Sequence, residues 1–220
     1  MPGANSSNLI TFNDWTLRVR EANSASPRLL VMLHGFTGDE NSMWVFTRRI
    51  STNYHLIAPR APHPTDPSGF SWRPSQALTF GRPSLEMLQP AAEALIRLID
   101  EYSASVKLDA LQFDLMGFSQ GAAMTNVVGM LYPHRVRKMG VLAGFMPSGL
   151  DEKIEQKVLA GKNIFVAHGT QDQMIPIDRA RASIELLEQA GARVIYCEDE
   201  VGHKLSANCL GALENYLNDE

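Results

Sequence analysis

The chain has only two cysteines, Cys197 and Cys209, among 220 residues. That is too few for a disulfide framework, and both are expected as reduced thiols in a cytoplasmic protein. The first eight residues hold no basic segment leading into an apolar one, so they do not read as a signal peptide. Nothing approaches the run of about 18 apolar residues that a membrane span requires. Net charge is also small, −4 from 20 basic and 24 acidic residues, and no basic run occurs, so a nucleic-acid partner is not expected. The six histidines are scattered, with no H-E-x-x-H and no paired C-x-x-C, which argues against a metal site. Without G-x-G-x-x-G or a Walker motif, no nucleotide cofactor is expected.

What is present is an ordinary globular composition, 45% hydrophobic and 20% charged, in a length suited to one domain over 1–220. Short β-rich apolar runs alternate with longer amphipathic ones. Leu9–Phe12 and Thr16–Arg20 flank the turn signal Asn13-Asp14 and predict an antiparallel hairpin. Leu29–Leu33 is an unbroken apolar run, suited to a strand buried on both faces. Further strands are predicted at Tyr54–Ala58, Phe113–Met116, Met139–Ala143, Asn163–Ala167 and Arg193–Glu198. Helical spacing marks Ser84–Tyr102, Ser119–Leu131, Leu150–Leu159, Asp178–Ala190 and Leu205–Leu217. Ser84 is placed as a simple cap, and Gly161 and Gly191 as glycines that end helices. The alternation predicts an α/β fold with a mostly parallel sheet and helices on both faces. Pro59–Pro83 carries six prolines in 25 residues and is expected to lack regular structure.

Gly117-Phe118-Ser119-Gln120-Gly121 is a G-x-S-x-G that follows one predicted strand and opens the next helix. That is the setting of a nucleophile elbow, where a tight turn lifts the serine hydroxyl above the sheet edge. A serine needs a base to take its proton, and in such sheets the order is serine, acid, histidine. His203 is the only histidine after residue 168, and it lies just beyond the last strand. Asp172 follows the preceding strand in His168-Gly169-Thr170-Gln171-Asp172 and would orient the imidazole. Asp178 reads as a helix-start residue, and Asp199 and Glu200, on the loop of His203 itself, are second choices. A developing oxyanion needs two donors, expected from the N–H groups of Gln120 and of Phe36 in the loop Leu33–Gly38. His34 in that loop reads as a hydrogen-bonding brace.

Leu-His-Gly-Phe-Thr-Gly (33–38), Gly-Phe-Ser-Gln-Gly (117–121), His-Gly-Thr-Gln-Asp (168–172) and Gly-His (202–203) occur in order. With these, the chain resembles the α/β-hydrolase superfamily from about residue 29 to 217. More narrowly it resembles the phospholipase/carboxylesterase family, which includes small bacterial carboxylesterases and acyl-protein thioesterases. The resemblance implies an α/β-hydrolase fold, hydrolysis of small-molecule carboxylic or thio-esters by Ser119, Asp172 and His203, and no cofactor. The thioesterase members usually carry G-x-G-D after the early strand, where this chain has Gly35-Phe36-Thr37-Gly38-Asp39, so a carboxylesterase is preferred.

The acyl pocket is expected at Phe36, Phe70, Trp72, Phe145, Met174 and Ile175, in an open, shallow site with Pro59–Pro83 as one wall and no lid domain. Alternatives are a lysophospholipase-like hydrolase, a peptidase with the same triad, or a non-catalytic binding protein on the same scaffold. A homodimer is compatible with the sequence.

Overall fold

The computed structural model describes residues 6–74 and 83–219. β1 (Asn8–Phe12) and β2 (Trp15–Arg20) form the predicted antiparallel hairpin. β3 (Arg28–Leu33) and β4 (Tyr54–Pro59) follow, then two short strands, β5 (His63–Pro64) and β6 (Phe70–Ser71). The remaining strands are β7 (Phe113–Phe118), β8 (Val136–Leu142), β9 (Asn163–Gly169) and β10 (Arg193–Asp199). The main sheet has the order β1-β2-β4-β3-β7-β8-β9-β10. It is parallel from β4 through β10, with β1 and β2 antiparallel at one edge. The expected mostly parallel sheet with an N-terminal hairpin is therefore present.

Alternation along β3 explains its unbroken apolar run. Leu29, Val31 and Leu33 enter one core, and Leu30 and Met32 enter the other. Each such side chain contributes about 1.5–3 kcal/mol when withdrawn from water. The first core is completed by α1 (Leu85–Val106), α2 (Gln120–Leu131), α3 (Asp151–Glu155) and α4 (Ile177–Gln189). On the other face lie α5 (Ala207–Asn218) and a 3-10 turn, Ser42–Phe46, which the sequence did not suggest.

Several local expectations are corrected. Ser84 makes no side-chain cap, and α1 runs on to Val106, ending where Lys107 adopts a left-handed φ of 56°. α3 stops at Glu155, because Lys157 also turns left-handed (φ 51°); Gly161 then closes turns rather than a helix. Gly191 does follow α4, at φ +93°. Prolines did not exclude strands from Pro59–Pro83, since a two-strand ribbon offers edge positions where proline costs no ladder bond. Residues 75–82 of that segment lie outside the described residues.

The largest correction concerns the cysteines. Cys197 near the end of β10 and Cys209 in the first turn of α5 form a disulfide, with Cα atoms 5.6 Å apart. The strand-to-helix return brings them together, which spacing alone does not reveal. The bond removes the cysteine-based reason for placing the chain in a reducing compartment. Closing a 12-residue separation restricts the unfolded chain, so Cys197→Ser should lower stability by about 3 kcal/mol. Urea midpoints of variant and parent measure this, and equal midpoints would remove the bond as a stabilising element. No helix among the described residues is long and apolar enough to cross a membrane.

Candidate active site

The loops that follow β3, β7, β9 and β10 all leave the carboxyl edge of the parallel sheet, where such folds gather ligand-binding groups. Ser119 stands between β7 and α2 at φ 56°, ψ −114°. This strained conformation costs about 1–3 kcal/mol and persists only because its surroundings enforce it. Its N–H donates to the Leu142 carbonyl at 2.9 Å. Both flanking glycines are required by close approach. A Cβ on Gly117 would meet the Gly121 carbonyl oxygen at 2.1 Å, and one on Gly121 would meet that of Leu33 at 2.0 Å. Although Ser119 occupies the N-cap place of α2, its hydroxyl makes no capping bond and stays available.

Asp172 is buried in the turn after β9. One carboxylate oxygen accepts the N–H groups of Met174 and Ile175, both at 2.9 Å. The other accepts His203 Nδ1–H at 2.6 Å. Main-chain bonds tie the two loops together: Thr170 N–H to the Asp199 carbonyl and Gln171 N–H to that of Val201. The His203 ring packs 4.9 Å from the ring of Phe118, the residue before Ser119. Asp199 is otherwise engaged, accepting from Ser206 Oγ and Asn208 Nδ2 at the start of α5. Asp178 lies in the first turn of α4.

The loop 35–38 abuts the serine, since a Cβ on Gly35 would lie 3.2 Å from the Ser119 Cβ. Among the described residues, the N–H groups of Phe36 and Gln120 donate to no protein group in the turns and loops. The Gln120 side chain is spent elsewhere: its Oε1 accepts the Trp72 N–H and its Nε2 donates to Ser71 Oγ. His34 is fully buried and braces this loop. Its Nδ1–H donates to the Gly35 carbonyl and its Nε2 accepts the Ala61 N–H, which defines a neutral tautomer.

A cleft of about 530 Å³ opens beside these groups, lined by Phe36 and by Met43, Phe46, Phe118, Leu205 and Leu210. Of the expected pocket residues, only Phe36 lines it. Trp72 is wholly buried, donating its indole N–H to the His34 carbonyl. The ring of Phe70 lies under the Arg60 guanidinium at 4.6 Å, and its main chain pairs with Thr37 and Gly38. The Phe145 ring carries Arg179 at 4.4 Å, Ile175 is buried, and Met174 is exposed away from this cleft. No described residue of Pro59–Pro83 lines the cleft either. Its described residues Ala61, Phe70 and Trp72 instead bond to the loop 34–38. The lining residues Phe118, Lys204 and Leu205 could have been found from adjacency to Ser119 and His203, whereas Met43 and Phe46 depend on the unforeseen 3-10 turn. Cys197, Asp199 and Cys209 form a cluster of metal-type ligands, but its two sulfurs are bonded to each other.

Three buried histidines make stability depend on pH. Burial holds His34, His55 and His168 below the ordinary histidine range. The folded state therefore binds protons less readily than the unfolded chain. The stabilisation is complete above the unfolded value of about 6.5 and is lost as pH falls toward each folded value. Urea midpoints should decline from pH 7 to pH 5, and a flat profile would contradict the assignment.

Among known proteins, acyl-protein thioesterase 1 of Debaryomyces hansenii is 26% identical, covering 91% of this chain and 95% of its own. A carboxylesterase structure from Mesorhizobium loti superposes with a TM-score of 0.82 at 23% identity, over 97% of this chain and 99% of that one. The Bacillus cereus carboxylesterase gives 0.79 at 20%, over 93% of each. These two likenesses are of fold. The sequence pattern described as Phospholipase/Carboxylesterase matches residues 16–219, and the chain belongs to that family.

Proposed function

We propose that the protein is a serine carboxylesterase for small or medium esters. Ser119 is the nucleophile, His203 the general base and Asp172 the residue that orients it. Ser119 Oγ attacks the ester carbonyl as His203 takes its proton. The N–H groups of Phe36 and Gln120 hold the oxyanion. His203 then protonates the departing alcohol, and the acyl group rests on Ser119. Water, deprotonated by His203, releases the acid and restores the serine. The observation that carries this reading is the 2.6 Å Asp172–His203 bond. It belongs to the carboxyl edge on which the uncapped Ser119 also stands.

The relative named acyl-protein thioesterase favours a second reading, in which the leaving group is a thiol. Both are tested by kcat/KM for p-nitrophenyl esters of increasing acyl length beside matching thioesters and anilides. Ester turnover should exceed anilide turnover at every length. Faster amide cleavage would replace the esterase with a peptidase, and a thioester preference at all lengths would favour the second reading.

A further inference from the structure

The cleft beside Ser119 carries one charge among its lining residues. Met43, Val45, Phe46, Phe118, Leu205 and Leu210 make it apolar, and Lys204 stands at its rim with no aspartate or glutamate in the lining. Lys204 is exposed, and among the described residues its ammonium forms no ion pair or hydrogen bond. It follows His203 directly, and its N–H donates to the Gly202 carbonyl at 2.7 Å, which holds its backbone in a tight turn against the imidazole loop. Asp39 and Glu40 fall just outside that lining, between Gly38 and Ser42 in sequence, and both are already engaged. Asp39 is bonded to Asn41 and Ser42, and Glu40 is paired with Arg60. A cation with no internal partner, bordering an apolar cleft, attracts a substrate that brings its own anion.

We infer that Lys204 sets a preference for amphiphilic esters that carry an apolar segment and an anionic group a few bonds from the carbonyl. This rests on the esterase reading and names the substrate class of the same site. The anion can belong to the acid or to the alcohol part, and the probes separate the two. Mono-p-nitrophenyl adipate places a carboxylate on the acyl chain, 4-hexanoyloxybenzoate places it on the leaving group, and p-nitrophenyl hexanoate is neutral.

The readout is the ratio of kcat/KM for an anionic ester to that for the neutral one. Lys204→Ala should lower this ratio about tenfold, mainly through KM, and Lys204→Glu should lower it further. Lys204→Arg should retain it, and 0.5 M NaCl should weaken it in the parent enzyme, since a rim charge is screened. Whichever anionic probe shows the drop identifies the side of the ester that meets Lys204. A ratio in Lys204→Ala within twofold of the parent for both anionic probes overturns the inference while leaving the esterase intact. If the parent hydrolyses none of the three esters, the esterase reading falls and this inference falls with it.

Discussion

Ser119→Ala should reduce kcat on a short-chain p-nitrophenyl ester by about 10⁵–10⁶-fold, the scale seen when a triad nucleophile is removed. The loss is large because, in the proposed mechanism, the hydroxyl forms the bond to the acyl group and His203 and Asp172 have nothing to activate without it. The variant should stay folded. The Ser119 hydroxyl makes no cap bond, and the main-chain bond to Leu142 does not involve the side chain. An unchanged urea midpoint would separate lost chemistry from lost structure. Turnover within tenfold of the parent would overturn the proposed nucleophile, whereas a parent no faster than the uncatalysed reaction would restore the reading of a binding protein on a hydrolase scaffold. A residual rate well above the uncatalysed one is expected, since the proposed oxyanion donors on Phe36 and Gln120 remain.

An effect on stability as large as that of the disulfide is expected at the amino edge of the sheet. Asp114, near the start of β7, is fully buried. Its carboxylate accepts from Arg28 at 2.8 Å, from Arg137 at 2.7 and 3.0 Å, and from the Tyr54 hydroxyl at 2.6 Å. It also accepts the Lys138 N–H at 3.2 Å. These contacts join β3, β4, β7 and β8 around one charge. Asp114→Ala leaves two guanidiniums without their counter-ion and should cost about 3 kcal/mol, the lower end for a broken buried pair because both arginines keep some access to water. Against a typical total of about 5–15 kcal/mol, that is a substantial fraction. Urea unfolding measures it, and a loss under about 1 kcal/mol would show that the network contributes little. Activity per folded molecule should persist, because Asp114 lies at the end of β7 away from Ser119.

Sequence alone was enough for the alternating architecture, and the physical reason is periodicity. The five-residue apolar run at Leu29–Leu33 can be satisfied only by a strand with a core on each face, and the three- and four-residue spacing in α1 only by a helix with one. The turn at Ser119 was equally legible, because Gly117 and Gly121 are the residues that its close backbone approach demands. Asp172 and His203 were reached through chain order, an argument from topology rather than contact. Tertiary structure decided what depends on residues distant in sequence. Trp72, Phe70 and the Gln120 side chain are aromatic or polar residues near the site, yet they brace the loops, because their polar atoms find partners on other segments. The cleft wall came from Met43 and Phe46, on a turn with no sequence signature. Two cysteines too few to suggest a framework are joined because β10 and α5 run back along one another, which only the packed sheet determines.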